Sequence, residues 1–172
     1  MPAKIMASDN ARRGHGSLLH GIEPGNRALR RGRVSIPHYA YFVTAATINR
    51  QQFFCDFPAG CAAARCFEND SILGDSRMLA WVLMPDHAHW LIQLGEKNTL
   101  GLVVNRIKSA SARLANRVLA RQGALWQSAY HEHALRSDED LRAVARYLVA
   151  NPLRAQLVQR IENYPFWDAV WI

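Results

Sequence analysis

A chain of 172 residues, 49% of them hydrophobic, is long enough for one globular domain with a real core. Its 21 basic and 14 acidic residues leave a formal charge of +7, which favours a polyanionic partner, nucleic acid or an anionic membrane surface. No run approaches the roughly 20 apolar residues of a membrane span, the start lacks the apolar stretch of a signal peptide, and Cys55, Cys61 and Cys66 contain no zinc-type CxxC pair; a soluble cytoplasmic protein with reduced thiols is expected.

Residues 1–32 are rich in Gly, Arg and Asn and show no periodicity, so they read as a basic flexible arm ahead of a single domain, 33–172. Residues 1–33 hold seven basic side chains (Lys4, Arg12, Arg13, Arg27, Arg30, Arg31, Arg33) against Asp9 and Glu23, five of the seven net charges. Such an arm suits phosphate contact through Arg30, Arg31 and Arg33, or serves as a solubilising tail.

"YAYFVTAAT" (39–47) is β-branched and aromatic and predicts a strand. The Ala-rich "PAGCAAARCFEN" (58–69), with Pro near its start, predicts a helix. "RMLAWVLM" (77–84) and "HAHWLIQL" (87–94) are apolar enough for central strands, joined by a tight turn at Pro85-Asp86. Residues 99–121 carry the longest helical pattern, with Val103, Ile107, Ala110, Leu114 and Val118 on one face and Arg106, Arg113 and Arg117 on another. No acid lies between Glu96 and Glu132, so this stripe is either a solvated face or a phosphate-contacting one. "LWQSAYHEHALR" (125–136) predicts a fourth strand with its approach. A helix over 138–151 follows, capped by Ser137, with Leu141, Val144, Ala145 and Leu148 as its apolar face. Pro152 is expected to stop it, and a short helix over 153–160 to follow. The order β-α-β-β-α-β, then helices, predicts an α+β, ferredoxin-like antiparallel sheet with helices on one face.

His87 and His89, at i and i+2 of a strand, point to the same side. Two imidazoles so held can bind a divalent metal, or they can be hydrogen-bonded histidines on a half-solvated sheet. A second pair of the same spacing, His131 and His133, occurs in "YHEHAL". Tyr147 and Asn151, four apart, fall one helical turn from each other at the edge of the apolar face. Alone, each reads as a core-edge tyrosine and a helix-ending asparagine.

Together, "MPDHAHWLIQL", "LWQSAYHEHALR" and "ARYLVANPLRAQLV" resemble the REP-associated tyrosine transposases, within the single-tyrosine HUH transposase superfamily; "RRGRVSIPHYAYFVTAAT" is similar to the approach and first strand of that family. The resemblance covers roughly residues 30–165. The family often has Gly where this chain reads Ile36-Pro37-His38.

The resemblance implies that His87 and His89 bind a catalytic Mg²⁺ or Mn²⁺, with Asn151 as a third ligand where many relatives have Gln, and that Tyr147 is the nucleophile. It implies an enzyme that cuts single-stranded DNA beside REP-type hairpins and transfers strands through a 5′-phosphotyrosine. It implies a cytoplasmic, nucleoid-associated protein that is a monomer or homodimer. Tyr130 is the rival nucleophile by chemistry alone, and His131, Glu132 and His133 have no firm role. The alternative readings are a catalytically idle hairpin-binding protein and a metal-dependent hydrolase of small phosphoesters.

Overall fold

The computed structural model describes residues 35–136 and 139–171. The arm, with Arg30, Arg31 and Arg33, and the expected cap Ser137 lie outside the described residues. Five strands form one antiparallel sheet: β1 (Ala40–Ala46), β2 (Arg77–Met84), β3 (His87–Gln93), β4 (His131–Ala134) and β5 (Trp167–Ala169), in the order β4-β1-β3-β2-β5. The first four reproduce the split βαβ order anticipated from the element pattern. β5 was not anticipated, and it extends the sheet by pairing with β2.

The central strands explain their own composition. β2 is buried along all but its first residue, because it is flanked by β3 and β5 and covered on both faces, and a strand in that position reads as a continuous apolar run. β3 alternates: Ala88, Trp90 and Ile92 face one core, while His87 and His89 face the other side, half-buried. Its two-residue turn with β2 pairs Met84 with His87. The buried Thr47 pins that turn: its backbone N–H and its hydroxyl both donate to the Asp86 carbonyl, at 2.9 Å each, and Phe54 N–H donates to the Pro85 carbonyl at 3.1 Å.

Helix α1 (Phe57–Ala64) is capped by Asp56, whose carboxylate accepts from Ala59 N–H at 2.8 Å. It ends five residues before the expected Asn69. Phe67 must turn inward to sit edge-on against Trp81 and Trp90, with ring centroids 5.2 and 5.3 Å away, and Asn69 caps a separate helix α2 (Asp70–Leu73). α3 (Leu100–Val118) starts where expected, capped by Thr99. It stops short of 121 because Ala120 takes a left-handed φ of 49°. Val103, Ile107 and Ala110 are buried on it, but Val118 is exposed; the inward positions there are Ser111 and Ala115 instead. α1, α2 and α3 share one hydrophobic core with Val43, Leu83, Trp90 and Ile92.

β4 is much shorter than the apolar run 125–136. Residues 126–128 are strapped to α3 and to the end of β1 instead: Trp126 Nε1 donates to Ser111 Oγ at 3.0 Å, the buried Lys108 ammonium donates to the Gln127 and Ser128 carbonyls at 2.7 and 3.0 Å, and Gln127 N–H reaches the Ala46 carbonyl.

The remaining helices depart from the one-face expectation. α4 (Leu141–Val149) is capped by Asp140, which accepts from Arg142 N–H at 2.8 Å. Its Ala145, Leu148 and Val149 join Val82, Met84 and Leu91 in a second core on the opposite face of the sheet. α4 ends at Val149, ahead of Pro152 as expected, but the short helix that follows is earlier than the expected 153–160 and includes Pro152. Pro152 sits in the first turn of this α5 (Asn151–Arg154), four residues long, where a missing N–H is no loss.

Candidate metal and tyrosine site

The sheet face under α4 is the one that carries His87 and His89. Their rings stand edge to face, with centroids 4.8 Å apart. Nδ1 of His87 lies 2.5 Å from Asp86 Oδ1, and Nδ1 of His89 lies 2.8 Å from Thr44 Oγ1 on the paired residue of β1. With a carboxylate accepting from Nδ1–H, His87 keeps its lone pair on Nε2; the same tautomer follows for His89 when it donates to Thr44. This is the arrangement in which an outer hydrogen bond orients a metal-binding imidazole. Asp86 is itself held at 3.4 Å by the Arg50 guanidinium. Burial, and then the nearby charges of His87, Arg154 and Arg50, push the His89 pKa down to about 3, so the ring is neutral at physiological pH, as a metal ligand must be.

Asn151 owes its orientation to its neighbour. Pro152 has no N–H to give the Leu148 carbonyl four residues back, and Asn151 Nδ2 makes that bond instead, at 2.6 Å. The amide donor is thereby committed, and Oδ1 is the atom left to face a cation. The chain breaks between α4 and α5 at Ala150, so Tyr147 and Asn151 belong to two helices rather than one. Among the described residues no group of three His, Cys, Asp or Glu has metal-holding geometry. As donor types, two imidazole nitrogens and one amide oxygen suit a divalent ion of the Mg²⁺–Mn²⁺ kind.

Tyr147 is 46% exposed at the edge of α4. Its ring lies under the Arg154 guanidinium, 3.9 Å from Cζ to the ring centroid. Tyr130 is placed differently: it packs against the core on the α3 side, with the Lys108 ammonium 5.8 Å from its ring centroid. The two tyrosines therefore belong to opposite sides of the sheet, and of the two only Tyr147 stands on the helix that covers the face of the histidine pair.

The arginine stripe of α3 is separated from this site. Arg106 and Arg113 line a cavity of about 460 Å³ with Ser71, Ile72, Asn105 and Ser109, and Arg106 donates to Asn98 Oδ1 at 3.2 Å. Arg117 is exposed on the same helix. All three stand on the face opposite the histidines. Sequence reasoning missed Thr44, Asp86, Arg50 and Arg154. Asp86 carried a signal, being directly before His87 in "PDHAH"; Arg154 carried a weaker one, seven residues after Tyr147.

The family described as "Transposase IS200 like" matches residues 37–151, from the approach to β1 through Asn151. A protein of Haemophilus influenzae named as a REP-associated tyrosine transposase is 28% identical over 98 residues, covering 51% of this chain and 56% of that protein. The REP-associated tyrosine transposase of Escherichia coli is 26% identical over 89 residues, covering 51% of this chain and 50% of its own. The chain thus matches about half the length of these curated relatives. A solved REP-associated tyrosine transposase bound to a REP hairpin superposes with a TM-score of 0.61 at 24% identity, covering 79% of each chain, and so shares the fold. By the span of that family match, which takes in both histidines, Tyr147 and Asn151, the chain belongs to the IS200-like transposase family.

Proposed function

We propose that the protein is a metal-dependent single-strand DNA endonuclease and strand transferase that acts beside REP-type hairpins through a phosphotyrosine. The observation that carries the reading is the placement of α4. It packs Ala145, Leu148 and Val149 over the sheet face that holds His87 and His89, so the exposed Tyr147 stands on the helix covering that face, while Tyr130 packs on the other. A hairpin substrate is supported by the likeness to a transposase solved with a REP hairpin. Among the described residues no helix is long and apolar enough to cross a membrane, and a basic chain in contact with the nucleoid is the cytoplasmic setting this substrate requires.

In the proposed step the Tyr147 phenol loses its proton and its oxygen attacks the scissile phosphorus. The bond from phosphorus to the 3′-oxygen breaks, and that oxygen takes up a proton. The 5′-phosphate stays on the tyrosine as a diester, one phosphoester bond being exchanged for another. The step therefore reverses readily, which suits strand transfer rather than hydrolysis. An unperturbed phenol titrates near pH 10, so at neutral pH it needs help from its surroundings. His87 and His89 through Nε2 and Asn151 through Oδ1 would hold the divalent ion, Mg²⁺ or Mn²⁺, whose chemistry is to draw charge from a nonbridging phosphate oxygen and place the phosphorus. Thr44 and Asp86 orient the imidazoles; Arg50 orients Asp86.

The test is covalent capture. Wild-type protein with a REP-type hairpin bearing a single-stranded flank should leave a protein–DNA adduct on a denaturing gel. Tyr147→Phe should form none while retaining hairpin affinity, since only the nucleophilic oxygen is lost. Adduct from the Phe variant would assign the nucleophile elsewhere. Tight hairpin binding by the wild type without adduct under any divalent ion would mean that the chain is a binding protein only.

A further inference from the structure

Arg154 ends α5 and is exposed to solvent, yet its side chain folds back over seven residues of chain to touch Tyr147 twice. One terminal guanidinium nitrogen donates to the Tyr147 carbonyl at 2.8 Å. The guanidinium carbon stands 3.9 Å from the centroid of the Tyr147 ring. An exposed arginine keeps its many rotamers unless something holds it, so two contacts from one side chain to one residue mark a specific engagement.

The two contacts do different things. The carbonyl bond caps the open C-terminal end of α4, which any cation can do. The stack over the ring is particular to a planar guanidinium, because a lysine ammonium has no flat face to lay on it. Tyr147 needs such a hold. It is nearly half exposed, and its ring has two soft torsions that the α4 core does not restrain. A nucleophile must be held close to its productive position for in-line attack. The guanidinium also remains a fixed positive charge beside the phenol, with most of its five donors unspent.

We propose that Arg154 is the positioning residue of Tyr147: it fixes the ring for attack and keeps a positive charge beside the phosphate under attack. The inference rests on Tyr147 being the nucleophile, as argued above.

Arg154→Met keeps much of the side-chain length and removes both the charge and the stack; Arg154→Lys keeps the charge and the cap and removes the stack. Adduct formation is measured in single turnovers at saturating hairpin DNA, and hairpin affinity separately. The Met variant should slow adduct formation about 100-fold, the cost of a misplaced reacting group. The Lys variant should fall between Met and wild type, with affinity held within about threefold for both, because the loss lies in the chemical step. Added methylguanidinium should restore part of the rate to Arg154→Ala, an effect a purely structural role would not show. Wild-type adduct rates in Arg154→Met overturn the inference while leaving Tyr147 in place. So does a slowing that follows loss of helical structure and is not rescued. A wild-type chain that makes no adduct overturns the Tyr147 reading and the role of Arg154 with it.

Discussion

The chain carries two His-x-His pairs, and the fold treats them differently. Thr44 pairs with His89 on one side and with His131 on the other, and Phe42 pairs with Leu91 and with His133. Paired residues share a side of the sheet, so all four imidazoles lie on one face. His87 and His89 stand on β3, in the middle of the sheet, with Nδ1 of each ring held by Asp86 and Thr44. His131 and His133 stand on the four-residue edge strand β4, both exposed. The partner of His133 is Glu139, at 3.6 Å and through Nε2, the nitrogen a similarly oriented ligand would need. Spacing sets the shared face and nothing more. What makes a pair of imidazoles into a ligand set is a rigid strand beneath them and a fixed partner on the other ring nitrogen.

The largest effect should therefore separate the pairs. His87→Ala or His89→Ala should remove divalent-ion-dependent adduct formation, with excess Mn²⁺ recovering little. His131→Ala and His133→Ala should each leave most of the rate. Titrating Mn²⁺ against adduct yield for the four variants reads this directly. Equal losses from both pairs would erase the contrast, and full activity of the β3 variants in Mg²⁺ would remove the metal assignment altogether. A smaller effect should come from the partners alone. Asp86→Ala and Thr44→Val keep both imidazoles but take away what orients them, and metal affinity should weaken about 10- to 100-fold. Direct Mn²⁺ binding by calorimetry on the variants measures it without DNA, and an unchanged affinity would show that the strand suffices without the second hydrogen bond.

How much of this was legible beforehand follows from the range of each force. β1, β2, β3 and α3 were readable because alternation and helical period are local patterns that burial imposes on consecutive residues. The apolar stripe of α4 was readable for the same reason, since Ala145 and Leu148 are buried where the pattern puts them. The stripe could not say which side of the sheet would receive it, because that depends on contacts with Val82, Met84 and Leu91, some sixty residues earlier. β5 is three residues long, and its pairing with Ala80, Trp81 and Val82 is entirely non-local. Pro152 was ambiguous by nature, since the residue that ends one helix also suits the first turn of the next. Of the site, the imidazoles, the tyrosine and the amide were visible as spacings. Their supports were harder to see: Thr44 acts through a cross-strand contact that no spacing encodes, while Asp86 and Arg154 left only adjacency to His87 and a seven-residue offset from Tyr147.

The contrast extends from the two pairs to the two faces, and there the expected effect is smallest. The face under α4 holds the proposed chemistry, while Arg106, Arg113 and Arg117 stand on α3 on the other side. No acid within 97–131 neutralises that stripe. A stripe on the far side of the sheet can grip DNA without touching the reacting phosphate, so its loss should appear in affinity and not in the chemical step. If Arg113 and Arg117 each contact one phosphate, Arg113→Ala with Arg117→Ala should flatten the slope of log K against log salt by about 1.4 for single strands, or about 0.7 per contact. Binding should weaken most at low salt, where counterion release contributes most. Single-turnover adduct formation at saturating protein should stay at the wild-type rate. An unchanged slope would make the stripe a solvated helix face and leave the grip on DNA elsewhere; a slowed chemical step with an unchanged slope would mean that the two faces are coupled through the sheet rather than divided by it.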